Sequence, residues 1–257
     1  MTLIHPTAII DPKAELASDV EVGPYSIIEA QVSIDSGTVI GPHVVVRGPT
    51  QIGKNNQFFS FSSIGEACQD KKYNGEPTKL IVGDNNVFRE YVTLHRGTVQ
   101  DRGETRIGNH NWVMAYVHIA HDCVVGNHTV LANNATLAGH VNVGDGVILG
   151  GFTGVHQFCQ IGAYSMAGMF SVITKDVPAF VMVSGHPAAP HGLNVEGMRR
   201  RNYSAELIRD LKEAYKIVYR QGLTLKEAII QLQTFAETEE LNVFMTSLEK
   251  STRGIIR

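Results

Sequence analysis

The chain has 257 residues, 22 Lys/Arg against 25 Asp/Glu, a formal net charge of −3 and 43% hydrophobic residues, which suits one or two domains and argues against bulk nucleic-acid binding. Its three scattered cysteines, Cys68, Cys123 and Cys159, form no CxxC pair and no even framework, as expected in a reducing compartment. No signal-peptide pattern opens the chain and no apolar stretch approaches bilayer length, so a cytoplasmic protein without a membrane span is expected.

From Ile4 an apolar residue recurs every six positions: Ile10, Leu16, Val22, Ile28, Ile34, Ile40, Val46, Ile52, Phe58 and Ile64. The beat resumes at Val82, Phe88 and Leu94, slips frame, and runs again from Ile107 to Ile173. Neither a helix nor a half-buried strand has this period; a hexapeptide repeat marks a parallel β-helix. Three hexads close a triangular coil of 18 residues, and coils stack as parallel strands about 4.8 Å apart. Many beat residues precede Gly, as in Ile40-Gly41, Ile52-Gly53 and Ile107-Gly108, and Gly or Asn is expected to take the positive φ of each tight corner. Two stretches break the beat, near 65–80 and 96–106, and are expected to loop out where function concentrates on a repeat scaffold.

After Ile173 the pattern changes. A Pro/Gly-rich transition leads to a boundary at 187/188, dividing a β-helix (1–187) from a C-terminal α-helical domain (188–257). Ser204 can N-cap a helix ending near Gly222, Thr224 and Glu227 form a capping box, and a third helix is expected around Glu239 to Glu249. Residues 188–257 hold 11 Lys/Arg against 9 Asp/Glu, a mild excess headed by Arg199-Arg200-Arg201 that fits an acidic partner, a phosphate or a solvated face.

The coil also works as a ruler. Ile119, Leu137 and Val155 should stack, so His121, Gly139 and Gln157, two places beyond each, should stack as well. His118, His140 and His156 lie beside them, with Asp122 next to His121. Four histidines on one edge with an acid suit a general base for a hydroxyl or amine, a zinc site, or polar packing between subunits. Gly139 leaves a backbone N–H open as an oxyanion donor.

The segments H118-I-A-H-D-C-V-V-G-N127, L131-A-N-N-A-T-L-A-G-H140 and V155-H-Q-F158 resemble those of the acyl-carrier-protein-dependent UDP-N-acetylglucosamine O-acyltransferases, which open lipid A biosynthesis. Q69-D70 with K72-Y-x-G-E-P77, H95-R-G-T-V-Q100, N194-V-E-G197 and S251-T-R-G254 extend the likeness over essentially the whole chain. The resemblance implies a left-handed β-helix, a homotrimer with sites between neighbouring helices, no cofactor and no metal. Its substrates would be an (R)-3-hydroxyacyl group on acyl carrier protein and UDP-N-acetylglucosamine. By the same resemblance His121 is the general base, Asp122 orients it, and the Gly139 N–H binds the oxyanion. Asp70, Lys72, His118, His140, His156 and Gln157 would line the cleft, and Asn194, Glu196 and Arg200 would bind the nucleotide. Met169, where some members have Gly, would act as the acyl-chain ruler and favour a medium chain of about ten to twelve carbons, since each methylene denied burial costs about 0.8 kcal/mol. A zinc hydratase on the same fold and a non-catalytic scaffold are the alternatives.

Overall fold

The structure, a computed structural model, describes residues 4–235 and 238–257. Among these residues the β-helix strands form three sheets of nine, eight and ten strands. The first sheet carries Ile9–Ile10, His118–Ile119, Thr136–Leu137 and Gly154–Val155; the second carries Glu15–Leu16 and Val124–Val125; the third carries Glu21–Val22 and Trp112–Val113. Consecutive strands visit the three sheets in turn. Ile119 pairs with Leu137 and Leu137 with Val155, so each coil brings the chain back to the same sheet at a constant interval.

Every beat residue from Val22 to Ile173 points inward and is nearly inaccessible. Each buried Val, Ile, Leu or Phe contributes about 1.5–3 kcal/mol. Ile4 is exposed and Ile10 and Leu16 are half-buried, because the first coil has a neighbour on one side only. A second inward row lies two places before each beat position. It includes Ser26, Thr38, Asn56, Asn86, Asn111 and Thr129, all fully buried. These small polar groups bond to one another across coils: Asn56 Oδ1 accepts from the Asn86 N–H, Asn86 Oδ1 from the Asn111 N–H and Asn111 Oδ1 from the Thr129 N–H.

The corners differ from the sequence expectation. The left-handed residue sits three positions after the beat and is usually not glycine: Asn55, Asn85, His110, Asp122, His128 and His140 have φ of 55–63°. The glycines directly after the beat have another purpose. A Cβ on Gly41 would lie 2.6 Å from Phe58 O, and one on Gly108 2.6 Å from Gly126 O; glycine there lets the next coil approach.

Ile64 pairs with Leu94, and Leu94 with Ile119. Both intervals exceed the one from Ile119 to Leu137, so the two loops are insertions into otherwise regular coils, the first the larger. The last coil is instead shortened: Ile161 meets Val177, and Ala167 meets Val183. An antiparallel hairpin, Val181–Gly185 with Ala188–Leu193, then extends the third sheet. Residues 188–193 are therefore strand, not helix, because Val181 and Val183 supply a paired edge for them. Four helices follow: α1 (Val195–Arg200), α2 (Ala205–Arg220), α3 (Leu225–Leu232) and α4 (Glu239–Glu249). The Ser204 cap and the Thr224/Glu227 capping box form as expected; α1, less than two turns long, is too short to show a period. No helix among the described residues is long and apolar enough to cross a membrane.

Candidate active site

The corner between the first and second sheets brings His121, Gly139 and Gln157 into line on successive coils. The His121 Nδ1 lies 2.9 Å from Asp122 Oδ2, and Asp122 is fully buried. An ionised carboxylate only accepts, so Nδ1 carries the imidazole proton and Nε2 presents its lone pair. The second loop folds back over this pair. The Thr98 N–H donates to Asp122 Oδ1 (2.9 Å) and Oδ2 (3.1 Å), and the Thr98 hydroxyl donates to Oδ2 at 2.6 Å. Burial alone would raise the Asp122 pKa; the bonds from His121 and from the Thr98 side chain and backbone outweigh it and hold the carboxyl below its usual range.

Gly139 is required by the imidazole. A Cβ there would stand 2.5 Å from His121 Cε1 and 2.6 Å from Nε2, so its backbone runs directly beside the free nitrogen. Among the described residues neither the His121 nor the Gly139 N–H has an acceptor. His140 packs edge-on against His121, with centroids 4.9 Å apart, and stacks on Phe158. Its Nδ1 lies 2.8 Å from Asp101 Oδ2 of the second loop.

Thr98, Asp101, His121, His140, Gln157 and Phe158 line a cavity of about 650 Å³ together with Asp70 and Lys72 from the first loop, Gln100 and Arg102 from the second, and Asn142, Gln160 and Thr252. Asp122 and Gly139 are not lining residues themselves and adjoin it through His121. A larger cavity of about 730 Å³ lies under α4. It adjoins the first at Asn142 and Gln160 but holds no histidine.

The sequence ruler thus assembled His121, Asp122, Gly139, His140 and Gln157, and the first loop adds Asp70 and Lys72. His118 does not line the cavity. It projects from a flat strand, packs edge-on against buried His95 at 5.0 Å and shares a 2.7 Å hydrogen bond with Thr93 Oγ1. Burial, with His95 and His121 opposing a further positive charge, pushes its pKa down to about 4. His156 is exposed, its Nδ1 3.2 Å from the Gln157 carbonyl. Within one chain, Asn194, Glu196 and Arg200 are not among the residues lining the cavity. Asn194 is buried and caps α1, accepting from the Gly197 N–H at 3.0 Å and donating to Tyr164 O at 3.2 Å. Glu196 and Arg200 are exposed, Glu196 paired with Arg199. Met169 is exposed on a different corner, between the third and first sheets.

Sequence reasoning missed Thr98, Asp101 and Thr252, which reach the corner from outside the repeat and carry no periodic signal. Phe158 and Gln160 were within reach of the ruler, one coil beyond His140 and Asn142.

The ligand atoms of His121, Asp122 and His140 lie within 4.8 Å of one another. The 2.9 Å Nδ1–Oδ2 separation is a hydrogen-bond distance, shorter than the roughly 3.3 Å between two ligands of tetrahedral zinc. The Asp122 oxygens are also already accepting from Thr98. The cluster is built as a hydrogen-bonded chain ending in a basic nitrogen. The three thiols are free and buried, and burial pushes Cys159 to about 11 and Cys123 to about 12, so neither is a ready nucleophile.

Residues 104–139 match the bacterial transferase hexapeptide repeat, and fold and corner together define a left-handed parallel β-helix of the hexapeptide-transferase class. Residues 176–256 match a family described as UDP-N-acetylglucosamine O-acyltransferase, domain 2. The acyl-[acyl-carrier-protein]–UDP-N-acetylglucosamine O-acyltransferase of Thiobacillus denitrificans is 62% identical over 258 aligned positions, covering all of both chains. Among solved structures, LpxA from Acinetobacter baumannii superposes with a TM-score of 0.98 at 55% identity, over 99% of this chain and 100% of that one. The UDP-N-acetylglucosamine O-acyltransferase of Moraxella catarrhalis gives 0.98 at 52% identity over the same shares. The chain belongs to the UDP-N-acetylglucosamine O-acyltransferase family.

Proposed function

We propose that this protein transfers an (R)-3-hydroxyacyl group from acyl carrier protein to the 3-hydroxyl of UDP-N-acetylglucosamine, the opening step of lipid A biosynthesis, in the cytoplasm and without a cofactor. The observation that carries the reading is the His121–Asp122 pair, with Nε2 free beside the Gly139 backbone, in a chain whose full-length relatives are named for this reaction.

His121 Nε2 takes the proton of the sugar hydroxyl as its oxygen attacks the thioester carbonyl. The Gly139 N–H donates to the tetrahedral oxyanion. Collapse breaks the C–S bond, and the imidazolium returns the proton to the leaving thiolate. Asp122 holds the productive tautomer and stabilises the transient cation, and it stays ionised because Thr98 shares its charge. A thioester is already activated, so base and oxyanion donor together supply the chemistry, each worth about 10²–10³-fold.

Asp70, Lys72, His140 and Gln157 contact the substrates. His118, neutral across the physiological range, supports the flat face beside His121. His156 stands at the exposed rim. Asn194, Glu196, Arg200 and Met169 complete the site of a neighbouring chain in a homotrimer, which accounts for their distance from the cavity of their own chain. In that arrangement Arg200 meets the diphosphate, Asn194 acts through the fold of α1, and Met169 closes the acyl tunnel.

Transfer from a panel of 3-hydroxyacyl carrier proteins to UDP-N-acetylglucosamine tests the reading. Product from the wild type and its collapse in His121→Ala are expected; a folded trimer that transfers nothing from any donor would end the proposal.

A further inference from the structure

The short last coil leaves the site corner incomplete, and the C-terminal tail fills it. Asp176 follows Ile173 by three positions, the column place of Asp122, His140 and Phe158 on earlier coils, but its own coil is the shortened one. Its carboxylate is almost wholly buried. Oδ1 accepts from the Gln160 N–H at 2.8 Å. Oδ2 accepts from the Ser251 hydroxyl (2.7 Å), the Thr252 N–H (3.0 Å) and the Arg253 N–H (3.1 Å). Backbone bonds from Asp176 N to Gly254 O and from Ile256 N to Asp176 O fix the tail, and Ile255 and Ile256 are buried. The tail is thus held as firmly as a coil, and it sets Thr252 in the wall of the catalytic cavity. The Thr252 hydroxyl has no hydrogen-bond partner among the described residues.

The two ends of the cavity differ in the kind of polar group they present, charged side chains of both signs at one and neutral ones at the other. The end built by the loops carries Asp70, Lys72, Asp101 and Arg102; the end built by the last coils and the tail offers the neutral amides of Gln157 and Gln160 and the Thr252 hydroxyl. A sugar nucleotide is strongly charged, whereas the arm bearing a carrier-bound thioester is a neutral chain of amides. We infer that Thr252, positioned by the buried Asp176 carboxylate, is a donor-specificity residue that hydrogen-bonds an amide of the thioester arm. The inference rests on the acyl-transfer reading and adds the donor's entry side and a residue outside the repeat.

Steady-state kinetics with acyl carrier protein donor and UDP-N-acetylglucosamine, each varied separately, test it on Thr252→Val and Thr252→Ser. The isosteric Val is expected to raise the KM for the acyl donor about fivefold, the size of one uncharged hydrogen bond. The kcat, the sugar-nucleotide KM and the thermal transition should stay within about twofold or a degree of wild type, and Ser should restore the donor KM. An unchanged donor KM in Thr252→Val, or a rise confined to the sugar nucleotide, overturns the assignment while leaving acyl transfer standing. A wild type that transfers nothing removes both.

Discussion

Two corners of the same coils show how a repeat separates structure from chemistry. At the corner between the second and third sheets, the residue two places after the beat is Asp84, Asn109, Asn127 or Asp145. Each side chain accepts the equivalent backbone N–H of the coil before it: Lys54 to Asp84, Asp84 to Asn109, Asn109 to Asn127 and Asn127 to Asp145, at 2.6–2.8 Å. At the corner between the first and second sheets the same positions hold His121, Gly139 and Gln157. Glycine cannot reach back to His121, so the open N–H groups that the first corner caps are left available here. One ladder consumes its polar groups internally; the other is interrupted, and the interruption coincides with the candidate site.

Substitutions on the two corners should therefore fail in opposite ways. His121→Ala should lower kcat by about 10²–10³-fold while the chain stays folded, because Thr98 still supplies Asp122 with hydrogen bonds; a variant within tenfold of wild type breaks the contrast. Gly139→Ala should cost about 10²–10³-fold in kcat, since the new methyl displaces the imidazole, and its thermal transition should move little because a side chain rather than backbone must yield. On the flat face between the corners, His118 ties stability to pH. Its pKa falls from 6.5 to about 4 on folding, so the unfolded chain binds the proton first, and stability drops as pH falls from about 6.5 to 4. The single-site loss is on the order of 3 kcal/mol. Denaturation of wild type and His118→Gln at pH 7 and pH 4 should show the variant losing less; equal losses remove His118 as a source. Asn127→Ala, on the structural corner, should destabilise by about 1–2 kcal/mol by orphaning the Asn109 N–H, with kcat unchanged within twofold. In donor preference rather than in rate or stability, Met169→Gly should shift the optimum toward a fourteen-carbon chain, at about 0.8 kcal/mol per methylene newly buried; an unaltered chain-length profile refutes the ruler.

Much of this was legible in the sequence because the period is rigid. Six-residue spacing located the inward row, and three times six placed His121, Gly139 and Gln157 in register. What escaped lies outside that period or is masked by it. Ser26, Thr38 and Asn56 fall outside the six-residue beat, yet they are buried, because a triangular coil turns a second position per hexad inward, two places before the beat. Gly41 and Gly108 looked like turn formers and are instead clearance for the next coil. Thr98 and Asp101 reach Asp122 and His140 from an aperiodic loop. Asp176 lies past the last beat residue and carries no periodic signal, and only its bonds to residues 251–253 reveal that it ties coil to tail.

The fixed length of the coil also governs which changes in chain length the protein can absorb. A single inserted residue between 121 and 139 would turn Gly139 away from His121 and carry every later beat residue off the inner wall, much as a one-base insertion garbles all downstream codons. Whole coils, or residues added at the two loops that already break the count, leave the phase intact. Natural length variation should therefore gather near 67–78 and 96–103, at the end of the cavity that holds Asp70, Lys72, Asp101 and Arg102. The segments freest to change in length are thus those that border the candidate site.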